Sequence, residues 1–565
     1  MRKIKFSVRL MMIVFISLAL NSLKAQDMQL VARYVEMGQY NHAKSLLLPE
    51  AQTSIDPLVV FNLAKVYQSA NNIDSANFYF SKVLTIKPGS PLALISQIII
   101  DYNSKKETDA ANFYKAEKGA TSAKNLYALT QIAEFRFLTG DTNNWNQPLD
   151  MAINIDKKYV KAYITAGDIY TKIAESTLFG EDYGKASGRY EQALYYDPNN
   201  SEAKTKLAYI YYLARNYFRA EQALTEVLSN DSTYIPALKA FGELEYTIGK
   251  YGQSSYFFGK YMVLAENSSK DLSKYINILY FNREYAKSNS LIEQSLLTDP
   301  DNAVLLRLKG YTSFELKKYA IGLEAMTKFF SLRSDPGSDK IILTDYEYYG
   351  KLLSRNGQDS LAIVNLNKAL AMDSTKTYLY EDLAKSYEKA KDYKNAVISY
   401  DKLIASGANI SAGIYFNKGL AFNYLASDTT ITKDTAMFKQ YIQLADSAFL
   451  NVSKLSPNSH LGFLYRARMQ SKLDPESELG LAKPQYDSAL RIIESKNDSV
   501  KFKNEILEIY RYSGYFHYLR YLAAKDAKDN DGIASNKELS ILFWRKILAY
   551  DPKDKVAIEA LKVFK

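Results

Sequence analysis

An all-α fold, built as a continuous solenoid of short antiparallel helix pairs, is what the sequence predicts, and three observations predict it. Small, aromatic and proline residues recur in one spacing, at intervals mostly close to 34 residues, from near residue 24 almost to the C-terminus. Apolar residues repeat with helical periodicity, and turn-forming residues stand between the paired runs. No segment alternates apolar and polar residues as a half-buried strand would. A chain of 565 residues would ordinarily split into several domains, but a repeating period lets one core run its whole length.

Taken in order, the chain opens with a stretch that reads as an export signal over residues 1–25. Arg2, Lys3, Lys5 and Arg9 precede an apolar run from Leu10 to about Leu20, and Ala25 supplies a cleavage site before Gln26. The run is shorter than the roughly 20 residues a spanning helix needs, which leaves an uncleaved N-terminal anchor as the alternative. Five of the ten net positive charges (Arg2, Lys3, Lys5, Arg9 and Lys24) lie in this stretch, which holds no acid, so cleavage leaves +5. The remaining lysines are interleaved with Asp and Glu, as on a solvated helical surface, and nucleic acid is not an expected partner. The chain has no cysteine, which excludes disulfides, thiolate metal sites and a lipidated N-terminal cysteine.

The stretch Leu63–Pro88 shows the repeating unit most plainly. Ala64 and Tyr67 share one helix face, Ala76, Phe80 and Val83 share another, and Asn71-Asn72 separates the two runs. Helices cross closely only where the contact residues are small, so Ala64 and Ala76 mark the crossing while Tyr67 and Phe80 fill the volume around it. Pro88 ends the second helix. Windows of this kind start near residues 24, 57, 91, 126, 160, 201, 235, 269, 303, 343, 377, 412, 460 and 507. Clear matches are Gly167/Tyr170/Ala186/Tyr190/Ala193/Pro198, Ala208/Tyr211/Ala220/Leu224 and Ala384/Tyr387/Ala396/Tyr400. Gly38-Gln39-Tyr40, Gly249-Lys250-Tyr251 and Asp392-Tyr393 supply turns between paired helices. The solenoid is expected over 26–458 as about twelve pairs, degenerate near 91–158, where Trp145 stands near an expected alanine and Lys157 replaces a proline. Insertions around Glu175–Glu181, Ser427–Thr435 and Ala523–Ser535 predict loops or lengthened helices. Residues 459–565 read as a divergent helical or capping region with six aromatics crowded between Tyr510 and Tyr521.

This ladder resembles the tetratricopeptide repeat (TPR), and the chain as a whole resembles an exported bacterial TPR protein, a superhelix of antiparallel helix pairs. The resemblance implies a concave groove lined by the second, fifth, ninth, twelfth and thirteenth places of each first helix, where an extended peptide or partner helix lies. Carried onto this chain, those places give Tyr209 and Tyr212, Glu243 and Tyr246, and Arg307 and Tyr311. They then give Glu347, Lys351 and Arg355, and finally Glu381, Lys385 and Lys389. The aromatics and cations among them (Tyr209, Tyr212, Tyr246, Arg307, Tyr311, Lys351, Arg355, Lys385 and Lys389) are the expected partner contacts, the cations suited to an acidic segment. The asparagines that clamp-type TPR modules pair with their lysines are absent. In the unit at 57 the ladder leaves Phe61, Lys65 and Gln68 for recognition.

Nothing in the sequence assembles a catalytic or metal site. His42, His460 and His517 share no ligand or catalytic spacing. Gly180–Ala186 falls one residue short of a phosphate loop and lacks its Ser or Thr. The segment Ala527–Glu538 matches a calcium loop at Asp529, Asp531, Gly532 and Glu538, but Ala527 stands where the first carboxylate belongs. No cofactor is expected. The predicted function is a non-enzymatic periplasmic scaffold that binds envelope proteins in its groove, within an assembly or transport complex. The alternative is a glycan-binding solenoid assisting polysaccharide export, for which the 47 tyrosines offer stacking surfaces.

Overall fold

In a computed structural model, residues 27–177, 180–266, 269–333, 341–407, 409–428 and 430–564 are described. The predicted signal lies outside them. Within them every regular element is a helix: twenty-nine, as fourteen consecutive antiparallel pairs and a final helix, Lys555–Lys562. The arrangement is a TPR-like α-solenoid. None of these helices is long and apolar enough to cross a membrane. The chain divides into two compact units, Met1–Leu291 and Ile292–Lys565, the boundary falling inside the helix Tyr285–Leu296.

Local chemistry explains each pair. Asn72, Asn125, Asn200, Asn216 and Asn302 cap helix starts by accepting a backbone N–H with the side-chain oxygen. The turn between paired helices repeats one device, a left-handed residue at which the first helix stops. Glycine fills it at Gly249 and Gly357, whereas Asn71, Arg215, Lys317 and Lys391 adopt φ near +60° without that freedom. The N–H three residues past the helix then bonds back into its last turn, as Asn72 does to Tyr67 and Asp392 to Tyr387.

In most pairs the crossing follows a small residue near the middle of the first helix. Ala64, Ala208 and Ala384 are buried there. At Gly167 a Cβ would stand 2.5 Å from Cε1 of Tyr190, and at Gly350 it would stand 2.8 Å from Cγ of Leu366. Those approaches allow Tyr190 and Leu366 to fill the core opposite. The degenerate windows are also helix pairs, Pro91–Asn103 with Ala110–Ser122 and Leu126–Leu138 with Gln147–Ile155. Trp145 is buried edge-on against Tyr170 and takes up the missing contact.

The insertions lengthen hairpins. Val160–Thr177 pairs with Gly180–Tyr196, Thr435–Leu455 spans 21 residues, and Lys503–Asp526 pairs with Asn530–Tyr550. Gly180–Ala186 is therefore helical. Asp529, which the calcium-loop pattern offers as a ligand, instead caps Asn530–Tyr550, accepting the Gly532 N–H at 3.0 Å.

In the first unit the opening hairpin returns onto the chain some two hundred residues later. Arg33 pairs with Asp231 at 2.7 Å, and Tyr234 donates to Glu36. Gln39 donates to the Leu264 carbonyl at 3.0 Å, and the Asn41 N–H donates to Glu266 at 2.7 Å. Met37 packs against the core around Tyr234 and Phe258. Sequence periodicity contains no sign of this closure, because each of its members occupies an ordinary helix-end position.

Candidate functional site

The first helices of successive pairs lie side by side, so side chains on their common face meet across about one repeat. In the first unit this face is a polar and aromatic ladder. Tyr209 donates to Glu175 at 2.9 Å and stacks on Tyr212 with ring centroids 6.2 Å apart. The Tyr212 hydroxyl lies 3.2 Å from that of Thr247. Tyr246 sets its ring edge-on to Phe281 at 5.7 Å. Tyr209 remains 41% exposed, so its ring is available while its hydroxyl is held. Toward the helix starts, Lys161 and Lys206 both donate to Glu202, at 2.8 and 2.9 Å, and Lys206 reaches Asp168 at 2.6 Å. Burial by itself would raise the Glu202 carboxyl, but the two ammonium groups bring it down to about 2.

Phe61, Lys65 and Gln68, expected to be open for recognition, are not. Phe61 is fully buried with its ring 5.4 Å from Phe80, and Tyr127, on the helix Leu126–Leu138 two pairs further along the chain, also reaches it. Lys65 pairs with Glu134 at 3.3 Å, and Gln68 donates to Asn103 at 3.2 Å.

In the second unit the expected contacts separate into two groups. Arg307 and Tyr311 turn inward. Asp345, fully buried in the next first helix, accepts Arg307 Nη2 at 2.8 Å and Tyr311 Oη at 2.6 Å, with Arg307 Nε 2.7 Å away. The Ile342 N–H completes its shell at 2.8 Å. The guanidinium lies 4.9 Å from the Phe329 ring, and Tyr348 stacks on Tyr311 at 4.4 Å. Lys351 is also spent internally. It donates to Glu347 at 2.6 Å, lies 3.5 Å from Asp382, and sits among the rings of Phe314, Tyr348 and Tyr378. Burial pulls its ammonium down, yet the two carboxylates keep it above the ordinary lysine value.

Arg355, Lys385 and Lys389 face outward. Arg355 is exposed over the Tyr319 ring at 5.7 Å. Lys385 is held by Glu381, and Lys389 donates to the Ser354 carbonyl at 2.7 Å, the residue beside Arg355. These three cations, with the exposed Tyr378 ring, form an ordered basic and aromatic surface. Sequence spacing found the cations and Glu347 but not Asp345 and Tyr378, which together decide which of the cations point inward. An acid at the third place of a first helix, as at Asp345, was the available signal.

Among the described residues no group of three or more His, Asp or Glu could hold a metal ion. His42 is exposed 3.7 Å from Glu266, His460 is buried against Phe502, and His517 meets Asn536 at 3.0 Å.

No protein-family model matches the chain, and no curated protein matches it. Similar solved structures include the C-terminal part of a TPR repeat-containing protein from Cytophaga hutchinsonii, 26% identical, covering 51% of this chain and 99% of that one, with a TM-score of 0.39. A tetratricopeptide repeat protein from Parabacteroides merdae is 16% identical, over 58% of this chain and 98% of that one, with a TM-score of 0.22. The APC/C hetero-tetramer Cut9-Hcn1 contributes a chain 13% identical, over 82% of this chain and 92% of its own, with a TM-score of 0.32. The TPR-like character stands on the pairing, turns and small-residue crossings of the chain itself.

Proposed function

We propose that this chain is a non-enzymatic scaffold of the bacterial cell envelope, exported to the periplasm by its N-terminal signal, that holds protein partners on its first-helix face. The observation that carries this reading is the surface of Arg355, Lys385, Lys389 and Tyr378. Two of its cations are already fixed by neighbours, so little side-chain entropy is lost when a partner's acidic segment binds. The inward ladder behind it, from Tyr348 to Glu315 at 2.7 Å and from Tyr378 to Glu347 at 2.8 Å, keeps successive first helices in register.

The test is co-purification from envelope fractions with the parent chain and with the Arg355→Glu, Lys385→Glu, Lys389→Glu triple variant. The parent retains a defined protein and the variant loses it at unchanged helix content. Equal retention by the variant, or saturable binding of envelope polysaccharide with no protein retained, overturns the proposal.

A further inference from the structure

At the end of the second unit, the helices Lys503–Asp526, Asn530–Tyr550 and Lys555–Lys562 enclose an open cavity of about 610 Å³. That lies within the range of about 300–1,000 Å³ typical of small-molecule sites. Its walls are apolar, built from Trp544, Ala560, Val563 and Phe564, and the Phe564 ring is pinned by Tyr518 at 5.8 Å and Tyr521 at 5.6 Å. Val556 and Val563 remain 58% and 59% exposed at its mouth.

The polar groups of this cavity share one property. The Tyr515 and Tyr518 hydroxyls and the Lys555 ammonium have no hydrogen-bond or ion-pair partner among the described residues. Trp544 is 95% buried, its indole nitrogen packed against Gly514. The two hydroxyls and the ammonium can donate. The one carboxylate on the lining, Glu559, is paired with Lys562 at 2.7 Å. An apolar trough with spare donors and an uncompensated cation selects a ligand with an apolar body and an anionic acceptor end.

We infer that this cavity binds a long-chain carboxylate, the chain lying on Trp544, Val563 and Phe564 and the carboxylate meeting Lys555. Binding here is separate from the first-helix surface and needs no protein partner.

The chain contains two tryptophans, Trp145 and Trp544, so a Trp145→Phe background makes Trp544 the only indole. Dodecanoate, titrated below its micelle concentration, is expected to change Trp544 emission saturably, with the same midpoint by calorimetry. Lys555→Glu is expected to weaken dodecanoate at least tenfold while leaving 1-dodecanol within threefold. Ala560→Trp, which fills the trough, abolishes binding of both by calorimetry. Absence of saturable binding by either method, equal dodecanoate affinity in Lys555→Glu, or retained affinity in Ala560→Trp overturns the inference. A concentration-dependent dimer that Ala560→Trp dissociates also overturns it, since a second copy would then occupy the trough.

Discussion

Replacing Asp345 by asparagine tests whether the two inward-facing members of the expected contact set are structural. Asp345 accepts from one guanidinium nitrogen, a phenol and a backbone N–H, has a second guanidinium nitrogen 2.7 Å away, and is fully buried. The amide keeps the shape but removes the charge, and it turns one acceptor into a donor facing other donors. A hydrogen bond to a charged group contributes about 1.5–3 kcal/mol, and a buried donor left unmade costs about 1–3 kcal/mol. The sum, about 2.5–6 kcal/mol, brackets the usual cost of about 3–5 kcal/mol for breaking one side of a buried ion pair. Repeats contact chiefly their neighbours, so the loss is local, and a single global unfolding midpoint would blur it. Amide hydrogen exchange resolves it: at tenfold per 1.4 kcal/mol, a loss of about 3–5 kcal/mol should make Ala303–Glu315 and Leu343–Arg355 exchange roughly two to four orders of magnitude faster. Pro91–Asn103, in the other unit, should not change. Arg307→Met with Asp345→Leu, which removes both charges, should recover most of the protection. A change below about fivefold in Asp345→Asn would refute the reasoning, because Arg307 and Tyr311 would then not depend on this carboxylate.

Two further outcomes follow from the packing. Gly350→Ala places a methyl 2.8 Å from Leu366 Cγ and 3.3 Å from the Ala362 carbonyl, so it should cost about 1–3 kcal/mol, read as faster exchange in Leu343–Arg355. Adding Leu366→Ala should cost less than the sum of the two single changes. Glu245 is fully buried, its carboxylate oxygens lack hydrogen-bond partners, and the nearest cation, Lys250, is 3.9 Å away. Burial and then the neighbouring Glu221 raise its carboxyl above the ordinary value, against the pull of Lys250. A raised acid binds its proton more tightly folded than unfolded, so its contribution is present below about pH 4.5 and is lost as pH rises through the folded value. Glu245→Gln should therefore exceed the parent in thermal midpoint at pH 8, with the gap closing toward pH 4.5; a gap independent of pH contradicts this account.

Much of the architecture is local, which is why it could be read from spacing alone. Ala64, Ala76 and Phe80 fall where a helix pair needs them, and Asn72 both turns and caps. Even the degenerate windows near 91 and 126 keep enough helical periodicity to form pairs. The basic places 351, 355, 385 and 389 were also visible, but their directions were not. Lys351 turns inward because Glu347, four residues earlier, and Asp382, on the next first helix, converge on it. Lys389 stays exposed because its partner is a backbone carbonyl. Such choices depend in part on residues one repeat away, such as Asp382 and the Ser354 carbonyl, which no window of a single helix contains.

The sequence by itself therefore determined the helix pairs, their turns, their crossing residues and the small set of cations worth testing, all consequences of periodicity within about forty residues. Only the tertiary structure decided which of those side chains a partner can reach, that Phe61 belongs to the core, that the opening hairpin closes onto Asp231–Glu266, and that the final helices enclose a donor-lined cavity. The physical reason is distance along the chain. A crossing residue is chosen by the helix it pairs with at once, whereas exposure, closure and cavities are set by groups from 31 to 225 residues away, brought together by the stacking of many repeats.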